Sequence, residues 1–167
     1  MVMDYRLAAE QMAAECLCFR ARRVSRVLTR IYDEELRPLG IQATQLTLLN
    51  AVAIGGEAGA RMNRLAEILA MDATTLSRNL RPLARQGLLR IERSTRDRRV
   101  RIARLTHAGR DRVARALPLW RRAQERIEQA LGAALASDLR TRMDAAVEAG
   151  AGSEVSLPVP ARTGTGD

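Results

Sequence analysis

Residues 94–101 read STRDRRVR, placing four guanidinium groups and one carboxylate within eight residues. Arginine offers a planar fork of donors that matches phosphate oxygens and guanine edges, so such a run serves either as a solvated loop or as a surface for a polyanion. A second set precedes it: Thr74, Thr75, Ser77, Arg78 and Arg81 put hydroxyls ahead of guanidiniums within one short stretch. A third is the pair Cys16 and Cys18, the only cysteines of the chain. Their thiols could be oxidised, ligate a metal, or simply pack. Catalytic chemistry is poorly served. The single histidine, His107, belongs to no ligand or triad pattern, no glycine-rich phosphate loop follows a strand, and no carboxylate pair stands in a recognisable context. The expectation is a protein that is not an enzyme, with no catalytic residues, no cofactor and no metal.

The distribution of charge favours the polyanion. Twenty-eight basic residues face 19 acidic ones, a net charge of +9, and every basic residue is Arg. Between Arg61 and Arg115 there are 15 Arg and five acids, whereas the rest of the chain holds 13 Arg and 14 acids. The whole excess sits in one third of the chain, the footprint of a polyanion-binding module set into a neutral scaffold. Apolar residues make up 47% of the chain and aromatics only 2%, so a core must be built from Leu, Ala, Val, Ile and Met, the residues of packed helices. The 167 residues suffice for one domain of ordinary size. No apolar run is long enough to span a bilayer, the first residues carry acids without a signal pattern, and two cysteines make no disulfide framework. A soluble, cytoplasmic protein without a membrane partner is expected.

The elements that must position these groups follow from periodicity and punctuation. Leu17, Ala21, Val24, Leu28 and Ile31 mark a long amphipathic helix that ends near Arg37 and Pro38. A second helix spans Ala43 to Ile54 and stops at the glycines of GGEAG; a short third lies around Met62 to Ala70. Asp72 stands as N-cap to a fourth helix over Ala73 to Gln86, with Gly87 as its stop. Two short helices in this order read as a helix-turn-helix. On the fourth, Leu76, Leu80 and Leu83 share a narrow sector and face the core, while Thr74, Arg78, Arg81 and Arg85 occupy the opposite one with Ser77 beside it. Pro82 is expected to remove a hydrogen bond to the Arg78 carbonyl and kink the last turn. After Gly87 the period becomes two. Leu89 and Ile91, then Val100 and Ile102, alternate with polar residues and predict a β-hairpin with STRDRRVR at its tip. Val113, Leu117, Trp120, Ile127 and Leu131 mark a long helix starting at Thr106 and broken or kinked at Gly132; a last helix covers Ala134 to Ala149.

Helix, helix, helix-turn-helix, hairpin wing and two long helices: this order resembles the MarR family of winged helix-turn-helix transcription regulators. The resemblance is carried by GIQATQLTLL at 40–49, LAEILAMDATTLSRNLRPLARQGLL at 65–89, and above all DRRVRIARLTHAG at 97–109, where Asp, any residue, Arg leads into a strand ending Leu-Thr with Gly three residues later. It covers about residues 17–149. The fold class it implies is mainly α with a small β-hairpin wing, a winged helix-turn-helix flanked by long dimerisation helices. The expected organisation is an N-terminal extension over 1–16, a MarR-like domain over 17–149 and a disordered tail over 150–167. Within the domain, 42–105 form the DNA-binding part, and 17–41 with 106–149 the dimerisation helices.

The function implied is that of a sequence-specific regulator of transcription, a homodimeric repressor on double-stranded DNA with a palindromic operator, released by a small-molecule effector or by cysteine oxidation. The fourth helix would read the major groove through Thr74, Thr75, Ser77, Arg78 and Arg81. In the wing, Arg99 would reach the minor groove, Asp97 would hold the tip, and Arg96, Arg98 and Arg101 would meet phosphates. The alternative is an architectural nucleic-acid-binding protein without an effector. Leu17, Cys18 and Phe19 partly resemble the segment that holds the peroxide-sensing cysteine of the OhrR branch, and Tyr32 falls on one of that branch's tyrosines; two further tyrosine positions are Arg22 and Ala43 here. On a continuous helix Cys16 and Cys18 would point about 160° apart, and Tyr32, roughly 21 Å along from Cys18, could reach it only from a partner subunit. Structural packing, redox sensing and a metal site all remain open for the two cysteines.

Overall fold

A computed structural model describes residues 4–151. Seven α-helices and a three-stranded antiparallel sheet make up this part of the chain: α1 (Tyr5–Glu15), α2 (Leu17–Leu36), α3 (Ala43–Ile54), β1 (Ala60–Arg61), α4 (Met62–Ile68), α5 (Ala73–Arg85), β2 (Leu89–Arg93), β3 (Arg101–Leu105), α6 (His107–Leu131) and α7 (Ala133–Ala151). The fold class is the one the sequence implies, mainly helical with a small wing. Two corrections concern its ends. The stretch before Leu17 is itself helical, and Gly150 and Ala151, placed in the tail by composition, close α7. The remainder of that tail lies outside the described residues.

The core is built around α3, whose Leu46, Leu48, Leu49, Ala51 and Val52 are all buried. A helix apolar on every side must be central. Its start is fixed twice, by the reciprocal caps of Gln42 and Gln45 and by Asp33 of α2, whose carboxylate accepts the Ala43 N–H at 2.6 Å. Leu36, Leu65, Leu76, Leu80 and Leu83 bring α2, α4 and α5 onto it, each fully or almost fully excluded from water.

The sheet runs in the order β1-β3-β2, with Leu89 opposite Leu105 and Arg93 opposite Arg101. Strand β1 was not expected; it adds Ala60 and Arg61 to the free edge of β3. Gly59 makes this possible, because its φ is +73° and a Cβ there would meet the Arg104 side chain and the Ala103 carbonyl at 2.6 and 2.7 Å. Val100, expected as the first residue of the returning strand, belongs instead to the tip, where its N–H bonds to the Asp97 carbonyl at 3.0 Å.

Long helix α6 also departs from the expected stripe. Its inward face is Ala116, Leu119, Ala123 and Ile127, all buried, while Leu117 and Trp120 stay 46% and 37% exposed. The helix has two apolar faces, and tracking only large side chains merged them. Pro118 sits inside it without ending it; Gly132, at φ +78°, does end it. Between α2 and α6, Arg122 pairs with Glu35 at 3.2 Å and Arg126 with Glu34 and Glu35 at 3.0 and 2.8 Å. Exposed pairs of this kind add little stability but set the register of two helices. Exposed apolar side chains concentrate on α1, α2, α6 and α7, among them Leu7, Met12, Leu17, Val27, Leu135, Met143 and Val147.

The last turn of the Leu-Thr-His-Ala-Gly sequence joins wing to helix. Thr106 caps α6 by accepting the Gly109 N–H at 3.1 Å, donates its hydroxyl to the Gly87 carbonyl at 2.6 Å, and donates its N–H to the Leu88 carbonyl at 3.1 Å. This close approach leaves no room for a side chain at Gly109, where a Cβ would collide with the Leu88 carbonyl oxygen. Gly109→Ala should therefore lower the unfolding free energy by about 1–3 kcal/mol, read as a shift of the urea midpoint at constant slope.

Candidate nucleic-acid interface

Helix α5 is held from both sides. At its start the Asp72 carboxylate accepts the Thr75 N–H at 2.8 Å and the Thr75 hydroxyl at 2.6 Å. Along its inner face Leu76, Leu80 and Leu83 are all at 0% exposure. The helix continues through Pro82 to Arg85 and is closed by Gly87 at φ +70°. With that face anchored, Thr74, Arg78, Arg81 and Arg85 are exposed and Ser77 is half-buried. Thr75 differs from the other hydroxyls of the set because its Oγ1 is already engaged by the cap.

The wing tip is a small structured turn. Ser94 Oγ accepts the N–H groups of Arg96 and Asp97 at 3.2 and 3.4 Å, Asp97 Oδ1 accepts that of Arg99 at 2.9 Å, and the Val100 carbonyl accepts the Ser94 N–H at 2.8 Å. Short polar side chains bonded to the backbone two or three residues on are what hold a turn without a core. Arg96, Arg98, Arg99 and Arg101 project from it, all exposed.

The structure divides the arginines of the basic segment into two groups that sequence could not separate. One group is used by the fold: Arg64 pairs with Glu67, Arg90 and Arg104 with Glu92, Arg115 with Asp111, while Arg110 and Arg112 donate to the Leu105 and Leu39 carbonyls. The other group comprises Arg61 of β1, Arg78, Arg81 and Arg85 of α5 and Arg93, Arg96, Arg98, Arg99 and Arg101 of the wing. None of their guanidiniums makes an ion pair or hydrogen bond among the described residues. Neither Arg85 nor Arg93 was among the candidate contacts: helical spacing had put Arg85 in the outward sector of the fourth helix without assigning it a contact, and Arg93 was present only as flanking charge. Of the five acids in the segment, Glu67, Glu92 and Asp111 pair with arginines, Asp72 caps α5 and Asp97 closes the tip. The charge left over is entirely positive.

The cysteines stand elsewhere. Cys16 is not on a helix: its backbone is extended, it separates α1 from α2, and its sulfur accepts the Phe19 N–H at 3.3 Å as the cap of α2. The first long helix thus starts at Leu17, as its apolar spacing implies, and the opposed orientation considered for the two thiols on a continuous helix does not apply. Both thiols are free, Cys16 half-buried and Cys18 exposed. Tyr32 packs against the central core, and burial pushes its phenol above the ordinary range, opposed by Arg140 and reinforced by Glu128. His107 is the exposed first residue of α6. Among the described residues no cluster of three His, Cys, Asp or Glu groups could hold a metal ion.

A model of the MarR family matches residues 39–100. The transcriptional regulator MosR of M. tuberculosis, in a structure with DNA, superposes with a TM-score of 0.72 at 32% identity, over 81% of this chain and 96% of that one. The chain belongs to the MarR family. Two more MarR-family structures share the fold: a mutant of E. coli MarR with operator DNA, at 21% identity and a TM-score of 0.71 over 81% of this chain and 96% of that one, and S. aureus MepR with DNA, at 19% identity and 0.68 over 80% and 97%. Among curated proteins no relative matches.

Because the first turn of α5 carries Thr74, Thr75 and Ser77, its cap bears directly on the candidate interface. The Thr75 hydroxyl, then the Thr75 N–H, hold the Asp72 carboxyl below the usual carboxylate range. A carboxylate with a lowered folded-state pKa stabilises above its unfolded-state pKa, and that contribution is lost as pH falls through the folded-state value. Asp72→Ala should therefore melt below the wild type at neutral pH, and the gap should close as pH drops below about 4. Thermal unfolding followed by circular dichroism at a series of pH values checks this; a gap independent of pH would contradict it.

Proposed function

We propose that this MarR-family chain is a sequence-specific, DNA-binding transcription regulator, acting as a homodimeric repressor in the cytoplasm. The observation that carries the reading is the set of unpartnered guanidiniums on the outer face of α5 and on the wing, in a segment whose every acid is engaged internally. Relatives crystallised with DNA, the 32% identical MosR among them, support it.

In this reading α5 enters the major groove. Thr74 and Ser77 lie toward its N-terminal end, where hydroxyls bond bases or phosphates; Arg78 and Arg81 follow, with a fork suited to the O6 and N7 of guanine. Thr75 contributes by holding the cap. Arg99 enters the adjacent minor groove, whose narrow form concentrates negative potential, and the Asp97 bond to the Arg99 N–H fixes the backbone from which that side chain extends. Arg96, Arg98 and Arg101 neutralise phosphates. Contact with about 6–10 phosphates makes affinity fall by roughly 10³–10⁵ between 50 and 200 mM salt.

The exposed apolar side chains of α1, α2, α6 and α7 support a two-fold dimer, since a soluble monomer rarely leaves so much apolar surface open along adjoining helices. Two-fold symmetry places half-sites about 10 base pairs apart, or a multiple of that, on a palindromic operator. Release belongs to an effector or to oxidation of the cysteines. Cys16 bears on the second route locally, because its sulfur caps α2 and oxygen added there would change the size and geometry of that cap.

Selection of bound duplexes from a random pool tests the reading: enrichment of one palindrome is expected, and indifferent binding would point to an architectural protein instead. Arg99→Ala should weaken binding to the enriched site by about 10- to 100-fold, with dimer mass and helicity unchanged. Arg98→Ala should weaken binding to all sequences alike and lower the salt slope by about one.

A further inference from the structure

Between Leu88 and Leu105 the wing carries seven arginines and two carboxylates. One of these, Asp97, is turned to the backbone of the tip. The other is Glu92, the only acid on β2 or β3. Alternation puts Leu89 and Ala103 on the covered face of the sheet and Arg90, Glu92 and Arg104 together on the outer one. The register sets Arg90 directly opposite Arg104, where like charges repel. Glu92 divides its carboxylate between them, Oε2 at 3.3 Å from Arg90 Nε and Oε1 at 2.5 Å from Arg104 Nε. Arg104 in turn donates through Nη1 to the Glu57 carbonyl, in the short 3-10 turn Gly56–Ala58 that follows α3. A single carboxylate thus ties β2 to β3 and, through Arg104, both strands to the turn after the central helix.

Two supports therefore fix the wing. The Thr106 clamp holds its base, whereas the Glu92 strut acts nearer the tip, one ladder pair before Arg93 and Arg101. Without the carboxylate, Arg90 and Arg104 face each other uncompensated, and their repulsion pushes Arg104 away from the Glu57 carbonyl. The side chains of Glu92 and Arg90 are 41% and 62% exposed, so these pairs add little to overall stability. What they can govern is direction.

We propose that Glu92 is a positioning residue for DNA binding: it touches no DNA, and it aligns the wing so that Arg99 meets the minor groove while α5 occupies the major one. This role rests on the DNA-binding reading above. Charge counting alone gives the opposite sign, since deleting an acid from a basic face strengthens its attraction to phosphates.

Affinity of the full chain for the selected operator separates the two. Asp111→Asn serves as the charge-matched control, because Asp111 pairs with Arg115 on α6 within the same basic segment. Glu92→Gln should bind about fivefold or more weakly than the wild type, with helicity and urea midpoint little changed, whereas Asp111→Asn should bind at least as tightly. In an Arg99→Ala background Glu92→Gln should weaken binding no further, because the contact it aligns is gone. Should Glu92→Gln fail to fold, Glu92→Asp takes its place with the same expectations: it keeps the charge but is one methylene too short to span both guanidiniums. Operator binding as tight as the wild type or tighter, equal weakening by Asp111→Asn, or a loss that persists in full without Arg99 each overturns the positioning role. Those outcomes leave the functional reading standing on wild-type binding, whereas a wild-type chain that enriches no operator overturns both.

Discussion

The hydroxyl and amide of Thr106 hold together four pieces of chain that otherwise have no reason to meet. Through the Gly87 and Leu88 carbonyls they fix the end of α5 and the start of β2; through the Gly109 N–H they fix the start of α6, while Thr106 itself follows the last residue of β3. A wing is a two-stranded excursion with little core of its own, and such hairpins are marginal unless anchored. Here the anchor is a polar clamp supported by Leu88, Leu89 and Leu105, all nearly excluded from water. The direction in which the tip points relative to α5 depends on this junction more than on anything at the tip itself.

Given that anchor, the candidate interface is a matter of which charges the fold leaves unneutralised. Apart from Arg61 on β1, arginines of the basic segment near the body of the domain are engaged by carboxylates or carbonyls, and those on the outer face of α5 and beyond the middle of the hairpin are not. Local structure produces this split: the paired residues sit where a neighbouring element supplies an acceptor, as Glu92 does across the ladder, whereas the tip and the outer face of α5 have no neighbour. Repulsion among the free guanidiniums costs stability, which the leucines beneath α5 and the backbone bonds of Ser94 and Asp97 offset.

Much of this was legible in the sequence where local chemistry is decisive. Helix α3 begins and ends where its apolar run and following glycines require, α5 starts at the Asp72 cap, and the hairpin brackets STRDRRVR. What was not legible depends on contacts distant in sequence or on unusual use of a residue. Two residues cannot announce a strand, so β1 emerges only because β3 offers an open edge and Gly59 tolerates the approach. Cysteine is not a habitual helix cap, so although the apolar stripe starts α2 at Leu17, nothing marked Cys16 as the residue that caps it. Of the candidate site, the positions on α5 and in the wing could be named, but the prior engagement of the Thr75 hydroxyl by Asp72 required the rotamers.

The double face of α6 connects these points. One face, made of Ala116, Leu119, Ala123 and Ile127, packs inward; the other, with Leu117 and Trp120, is partly open. Small residues on the inner face let α2 and α6 approach closely, and the Arg122 and Arg126 pairs with Glu34 and Glu35 hold their register. Any displacement of α6 is therefore shared with α2 on one side and, through Thr106, with the wing on the other. A single long helix joined rigidly to both gives the apolar surfaces of α2, α6 and α7 a mechanical route to the arginines at the tip, without a chain of side-chain contacts having to carry it.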